Sequence, residues 1–157
     1  MKNTISILLT VVLFFISCGN EGPEPINYNR DACEFCKMTI SESRFAAQLI
    51  TVKGRVYKFD DLQCLLQYDQ TNKEVPVKNY YIANFSANKA LIDAKSAYFV
   101  KSETLRSPMG GNVAAFAEQK TAAAYASKNQ TDIVEWKDLN NTVQTEGGHK
   151  HDEMQHH

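Results

Sequence analysis

The first 148 residues of this 157-residue chain contain no histidine; all four lie in the last nine. That removes from any folded part the imidazole on which Ser or Cys nucleophiles and many general acid–base pairs rely. No other nucleophile–base pair stands out, so the chain is not expected to be an enzyme. Charge of one sign is also missing, with Lys+Arg 17 against Asp+Glu 18 and a formal net charge of −1. A nucleic acid partner therefore has no electrostatic basis. Past residue 20 no apolar run approaches the length that spans a bilayer. What is present is an ordinary globular composition, 43% apolar and 22% charged, enough for one compact domain or two very small ones.

The start of the chain is an exception to that composition. Met1-Lys2-Asn3 is a short positive segment, and Ile5 to Ile16 is almost unbroken apolar sequence, too short for a spanning helix. It ends Phe15-Ile16-Ser17-Cys18, which resembles a bacterial lipobox. Residues 1–17 are therefore expected to be a lipoprotein signal peptide, with Cys18 lipidated and anchoring the chain to a membrane. Each buried CH₂ of such an anchor contributes about 0.8 kcal/mol. Residues 18–31, rich in Gly, Pro, Asn and acid, read as an extended tether. The expected location is the cell envelope, on the periplasm-facing or extracellular side of a bacterial membrane.

With Cys18 assigned to lipid, Cys33, Cys36 and Cys64 remain, and an odd number in an exported chain points to a thiol with a task other than pairing. Cys33 and Cys36 form a C-x-x-C followed by Met38. Thiolate and thioether are soft donors that favour Cu(I), zinc and iron–sulfur clusters. Three other readings of the motif stand beside Cu(I). A zinc site needs two more ligands, and no second C-x-x-C or H-x₃-H follows in the folded part. A redox pair is expected at a helix N-terminus after a strand, whereas here the motif follows a tether. A disulfide between Cys33 and Cys36 suits an oxidising compartment. Cu(I) is placed ahead of it, since thioethers neither oxidise to disulfides nor lose a proton on binding. Cys64 falls beside a leucine face and reads as a small buried hydrophobe. Asp60 and Asp61 read as helix capping, with Asp60 the cap and Gln63 completing a capping box.

Past the tether one supersecondary unit recurs. Val56 to Asp61 (VYKFDD) aligns with Val113 to Glu118 (VAAFAE) at an offset of 57, which also pairs Leu65 with Ala122 and Tyr68 with Tyr125. Strands are expected over 45–52, 55–59 and 80–85, with a helix over 61–68 carrying Leu62, Leu65 and Leu66 on one face. The second copy is expected as strands over 97–101, 113–116 and 133–136 with a helix over 118–127. The fold class is thus α+β: two similar β-β-α-β units, residues 32–88 and 89–139, packed together because neither buries enough alone. Residues 140–157 read as a disordered histidine-rich tail, in which His149, His151, Met154, His156 and His157 form a loose metal-scavenging set.

The two units differ in one loop. Between the first two strands of the second, residues 102–112 (SETLRSPMGGN) replace a short turn. Pro108 stiffens the approach to Met109, and Gly110-Gly111 permit a tight turn or close approach. From the residues alone Met109 is a core gap-filler. The C-x-x-C-x-M, the F-D-D after a hairpin and the late P-M-G-G of an exported chain together resemble the NosL family, over about Ala32 to Leu139. These are copper-binding lipoproteins associated with maturation of nitrous oxide reductase. The resemblance implies a pair of β-β-α-β units and Cu(I) held by cysteine and methionine sulfur, here Cys33, Cys36, Met38 and Met109. It further implies delivery of copper to an ABC-type maturation complex or an apo copper enzyme. Two rivals remain: a thiol–disulfide oxidoreductase using Cys33 and Cys36, and a structural lipoprotein whose Cys33–Cys36 disulfide pins the entry to the fold.

Overall fold

The computed structural model describes residues 22–139; the expected signal peptide, Cys18 and the histidine-rich tail lie outside the described residues. Two sheets form, each with its helix. In the first, β1 (Ala47–Thr51), β2 (Val56–Phe59), β3 (Val77–Ala83) and β4 (Leu91–Asp93) pair antiparallel in the order β2-β1-β3-β4. The second has β5 (Tyr98–Lys101), β6 (Val113–Phe116) and β7 (Ile133–Val134) in the order β6-β5-β7. In both, the first strand of the unit lies between its hairpin partner and the strand that follows the helix. Among the described residues β4 has no counterpart in the second unit, and it was not expected from sequence.

The helices keep the repeat's register. Helix α1 (Leu62–Thr71) and helix α2 (Gln119–Lys128) start and end 57 residues apart. The cap of α1 falls one residue later than expected. Asp61 is extended (φ −152°) and its Oδ1 accepts the Cys64 N–H at 3.1 Å. Asp60 stays outside the helix because its own N–H donates to the Cys33 sulfur and its carboxylate accepts from the Ser41 N–H. Gln63 therefore has no capping-box role.

Alternation along the second sheet joins the units. Phe99 and Ala115 enter one core with Leu49, Phe59, Leu62, Leu65 and Cys33. Val100, Ala114 and Phe116, their neighbours on the opposite face, enter a second core with Ala122 and Ala126 of α2. With period-two side chains the sheet lies between α2 and the first unit. A parallel bridge between Asn84 and Ala115, closed by the Phe85 N–H on the Ala115 carbonyl at 2.7 Å, links the two sheets' backbones. The single tryptophan, Trp136, stacks on Tyr80 of the first unit and Phe99 of the second.

The expected tether is docked over its last part. Glu24 exchanges backbone hydrogen bonds with the buried Gln48 side chain. Lys58 reaches the Pro25 carbonyl at 2.9 Å and the Asp31 carboxylate at 2.8 Å. Ile26 and Tyr28 pack against the first core. The pull comes from a fully buried Gln48, whose amide must find partners. Among the described residues no helix is long and apolar enough to cross a membrane.

Candidate metal centre

Residues 32–39 form a tight knuckle. Ala32 bridges Thr39, the Cys33 N–H donates to the Met38 carbonyl at 2.8 Å, and the Lys37 N–H to the Cys33 carbonyl at 3.0 Å. Lys37 takes a left-handed conformation (φ 64°) to close the turn. The Glu34 N–H, bonded to the Lys58 carbonyl at 2.8 Å, ties the knuckle to β2. This folds Cys36 back on Cys33 and points both at the first turn of α1.

There they meet Cys64. The three sulfurs lie within 4.8 Å of one another, and no disulfide joins them. Three sulfurs around one ion at ~2.3 Å each stand about 4 Å apart, so the spacing suits a single soft ion. Cys33 and Cys64 are fully buried, and Cys36 is half-buried. Cys64 is thus buried as expected, but its sulfur turns toward two other thiols as well as the leucine face. Two signals for this were available in the sequence: the odd thiol count, and a position in the first helical turn directly after F-D-D.

The thiols share their protons unequally. Cys33 is lowered to about 5, first because the Cys64 thiol donates to it, and further because the N–H groups of Cys36, Asp60 and Phe35 do too, against the cost of burial. Cys64, the donor, is held far above the ordinary thiol range by that bond and by burial. Cys36 is raised chiefly by burial. The metal-free centre is one thiolate held by two thiols. Beside it Asp60, 2% exposed, is pushed up to about 6, mainly by burial and also by the charges of Asp61 and Cys33. Its Oδ1 has no hydrogen-bond partner among the described residues.

The two predicted methionines sit differently. Met38 offers its carbonyl to Cys33 and its N–H to the Cys36 sulfur, while the residue as a whole is 55% exposed. Met109, 37% exposed, rides on the 102–112 loop, which Leu105 anchors in the second core. Its N–H donates to Asp61 Oδ2 at 3.0 Å, which brings the loop to the N-terminus of the helix that carries Cys64. With Gln63, Gln67, Lys101 and Asn112 it lines an open cleft of about 360 Å³ between that helix and the loop. His149, His151, Met154, His156 and His157 lie outside the described residues, as does Cys18.

A repeated β-β-α-β fold with three clustered free thiols in one unit and exposed thioethers on two loops defines the class: an α+β protein with a candidate soft-metal centre. The NosL family model matches residues 25–144, and the chain belongs to the NosL family. Proteins of the NosL type are not enzymes. The copper-binding lipoprotein NosL of Stutzerimonas stutzeri is 27% identical over 165 residues, spanning 95% of this chain and 85% of that protein. The crystal structure of the copper chaperone NosL from Shewanella denitrificans aligns with a TM-score of 0.61 at 21% identity, over 74% of this chain and 93% of that one. At that identity the likeness is one of fold.

Proposed function

We propose that this chain is a Cu(I) carrier, lipid-anchored through Cys18 in the bacterial cell envelope, which passes the ion to the maturation machinery of a copper enzyme. The observation that carries the reading is the convergence of Cys33, Cys36 and Cys64 within 4.8 Å. In it, these sulfurs hold the ion, while Met109 and Met38 supply thioethers at the exposed rim. Buried thiolates bind tightly, and neutral thioethers that reach solvent give a recipient's ligands a place to begin exchange. The recipient in this reading, which the family resemblance implies, is an ABC-type maturation complex or apo nitrous oxide reductase; the relatives' descriptions as copper-binding and as a copper chaperone support delivery in general.

The oxidoreductase alternative meets a physical obstacle. An attacking thiol must be both ionised and accessible. Here the ionised thiol, Cys33, is fully buried, and the more accessible Cys36 is raised.

Titration of the reduced protein with Cu(I) against a competing chelator tests the proposal. We expect one tightly bound ion, a loss of about 100-fold for Cys33→Ser or Cys64→Ser, and of about tenfold for Met109→Ala. Binding that survives replacement of all three cysteines would overturn it. Copper transfer from the loaded protein to apo nitrous oxide reductase tests the recipient.

A further inference from the structure

A buried carboxylate, Asp61, ties the Met109 loop to the helix turn that carries Cys64. Asp61 is 2% exposed, and its two oxygens face different units. Oδ1 accepts the Cys64 N–H at 3.1 Å within the first unit. Oδ2 accepts from Ser107 Oγ at 2.9 Å and from the Met109 N–H at 3.0 Å, both on the second unit's loop. Residues 107–112 are also bonded among themselves. The Ser107 N–H donates to Asn112 Oδ1, the Asn112 N–H to Ser107 Oγ, and the Gly110 N–H to the Ser107 carbonyl. Gly110 and Asn112 have positive φ (74° and 52°), so the loop is a preformed ring rather than a slack strand. A Cβ at Gly111 would stand 3.2 Å from Gln63 Cβ, so the loop backbone lies directly on α1. At the repeat-related position, Glu118 precedes α2 and makes no capping hydrogen bond. The two-sided use of the acid therefore belongs to the first unit alone.

We propose that Asp61 is a positioning residue for copper binding, fixing the Met109 loop against the helix turn that carries Cys64 so that the thioether is placed before the ion arrives. The inference rests on the reading of the thiol cluster as a Cu(I) site. Its physical basis is preorganisation: a loop already ordered by charge-assisted hydrogen bonds loses little entropy when its sulfur engages a ligand. Cys64 and Met109 donate to the two oxygens of one carboxylate, so their backbones are fixed relative to each other.

The variant that isolates this role is Asp61→Asn. Its amide oxygen can still cap α1 through the Cys64 N–H, but its NH₂ cannot accept from the Met109 N–H. We expect Cu(I) affinity to fall about tenfold, as in Met109→Ala. The Asp61→Asn/Met109→Ala double variant should bind no more weakly than Met109→Ala alone. In protein labelled with ¹³C at the methionine methyls, the Met109 signal should shift on Cu(I) addition in the parent and stay near its metal-free position in Asp61→Asn. Ser107→Ala, which removes one donor from the same oxygen, should cost about threefold and serves if Asp61→Asn does not fold. Unchanged affinity, additive losses in the double variant, or a full Met109 shift in Asp61→Asn would each overturn the proposal. Failure of the parent itself to bind Cu(I) would instead remove the underlying copper reading. Met109 amide exchange, faster in metal-free Asp61→Asn than in the parent, would then still establish the clamp as a purely structural one.

Discussion

Cys33 is the one thiol of the cluster that ionises easily, and this sets how the centre should respond to pH. Cys36 and Cys64 are both raised, so near neutrality they hold protons while Cys33, at about 5, does not. An ion that binds all three sulfurs must displace up to two protons. The expected outcome is an apparent Cu(I) affinity that rises with pH between about 6 and 8, by up to roughly 100-fold per unit. Competition titrations at several pH values check it; a flat profile would mean that Cys33 binds without its neighbours. Asp60 makes the opposite demand on the metal-free fold. Its folded value of about 6 lies above its ordinary 3.8, so its contribution to stability is complete below 3.8 and lost as pH rises through about 6. Metal-free Asp60→Asn should therefore be more stable than the parent at pH 7, with the advantage vanishing toward pH 4 in urea unfolding. Neither behaviour was legible in the sequence. C-x-x-C-x-M announced a soft site, but Cys64 looked like core and Asp60 like a cap, because burial and proximity to sulfur are properties of the closed fold.

At the scale of elements, the sequence was most informative where periodicity was strong. The first hairpin and helix follow from strand-like runs and from Leu62, Leu65 and Leu66 at i, i+3, i+4. The second copy follows from its alignment at an offset of 57, and both helices and the hairpins are present. β4 escaped because three residues, Leu91–Asp93, carry too little pattern to separate from a loop. The docking of residues 24–31 escaped because Gly and Pro composition speaks of local stiffness and says nothing of a buried glutamine waiting elsewhere. The two helices are unequal in one respect that can be measured. Asp61 caps α1, whereas Glu118, one methylene longer, leaves the first turn of α2 without a side-chain acceptor. Glu118→Ser should supply one and stabilise the protein by about 0.5–1 kcal/mol, read from the urea midpoint at unchanged slope.

For the whole molecule, the question is what makes two small units behave as one. Phe85 is the hinge of that union. Its ring meets Phe45, Phe116 and Tyr125 at 5.4–5.8 Å between centroids, with the Arg44 guanidinium 5.0 Å from its centre. Phe85→Ala should remove about 2–3 kcal/mol, less than for a fully buried ring because Phe85 keeps some exposure. Trp136, touching both units, should report the loss by fluorescence, in step with far-UV circular dichroism if the units still unfold together.

The three thiols and the Met109 loop sit on different copies of the repeat, joined through the two oxygens of one buried side chain. A change of sequence in either copy is therefore felt in the other. Reshaping residues 102–112 would strand a buried acid beneath them, and moving the first turn of α1 would pull on the loop. Duplication has here left two halves that must drift together.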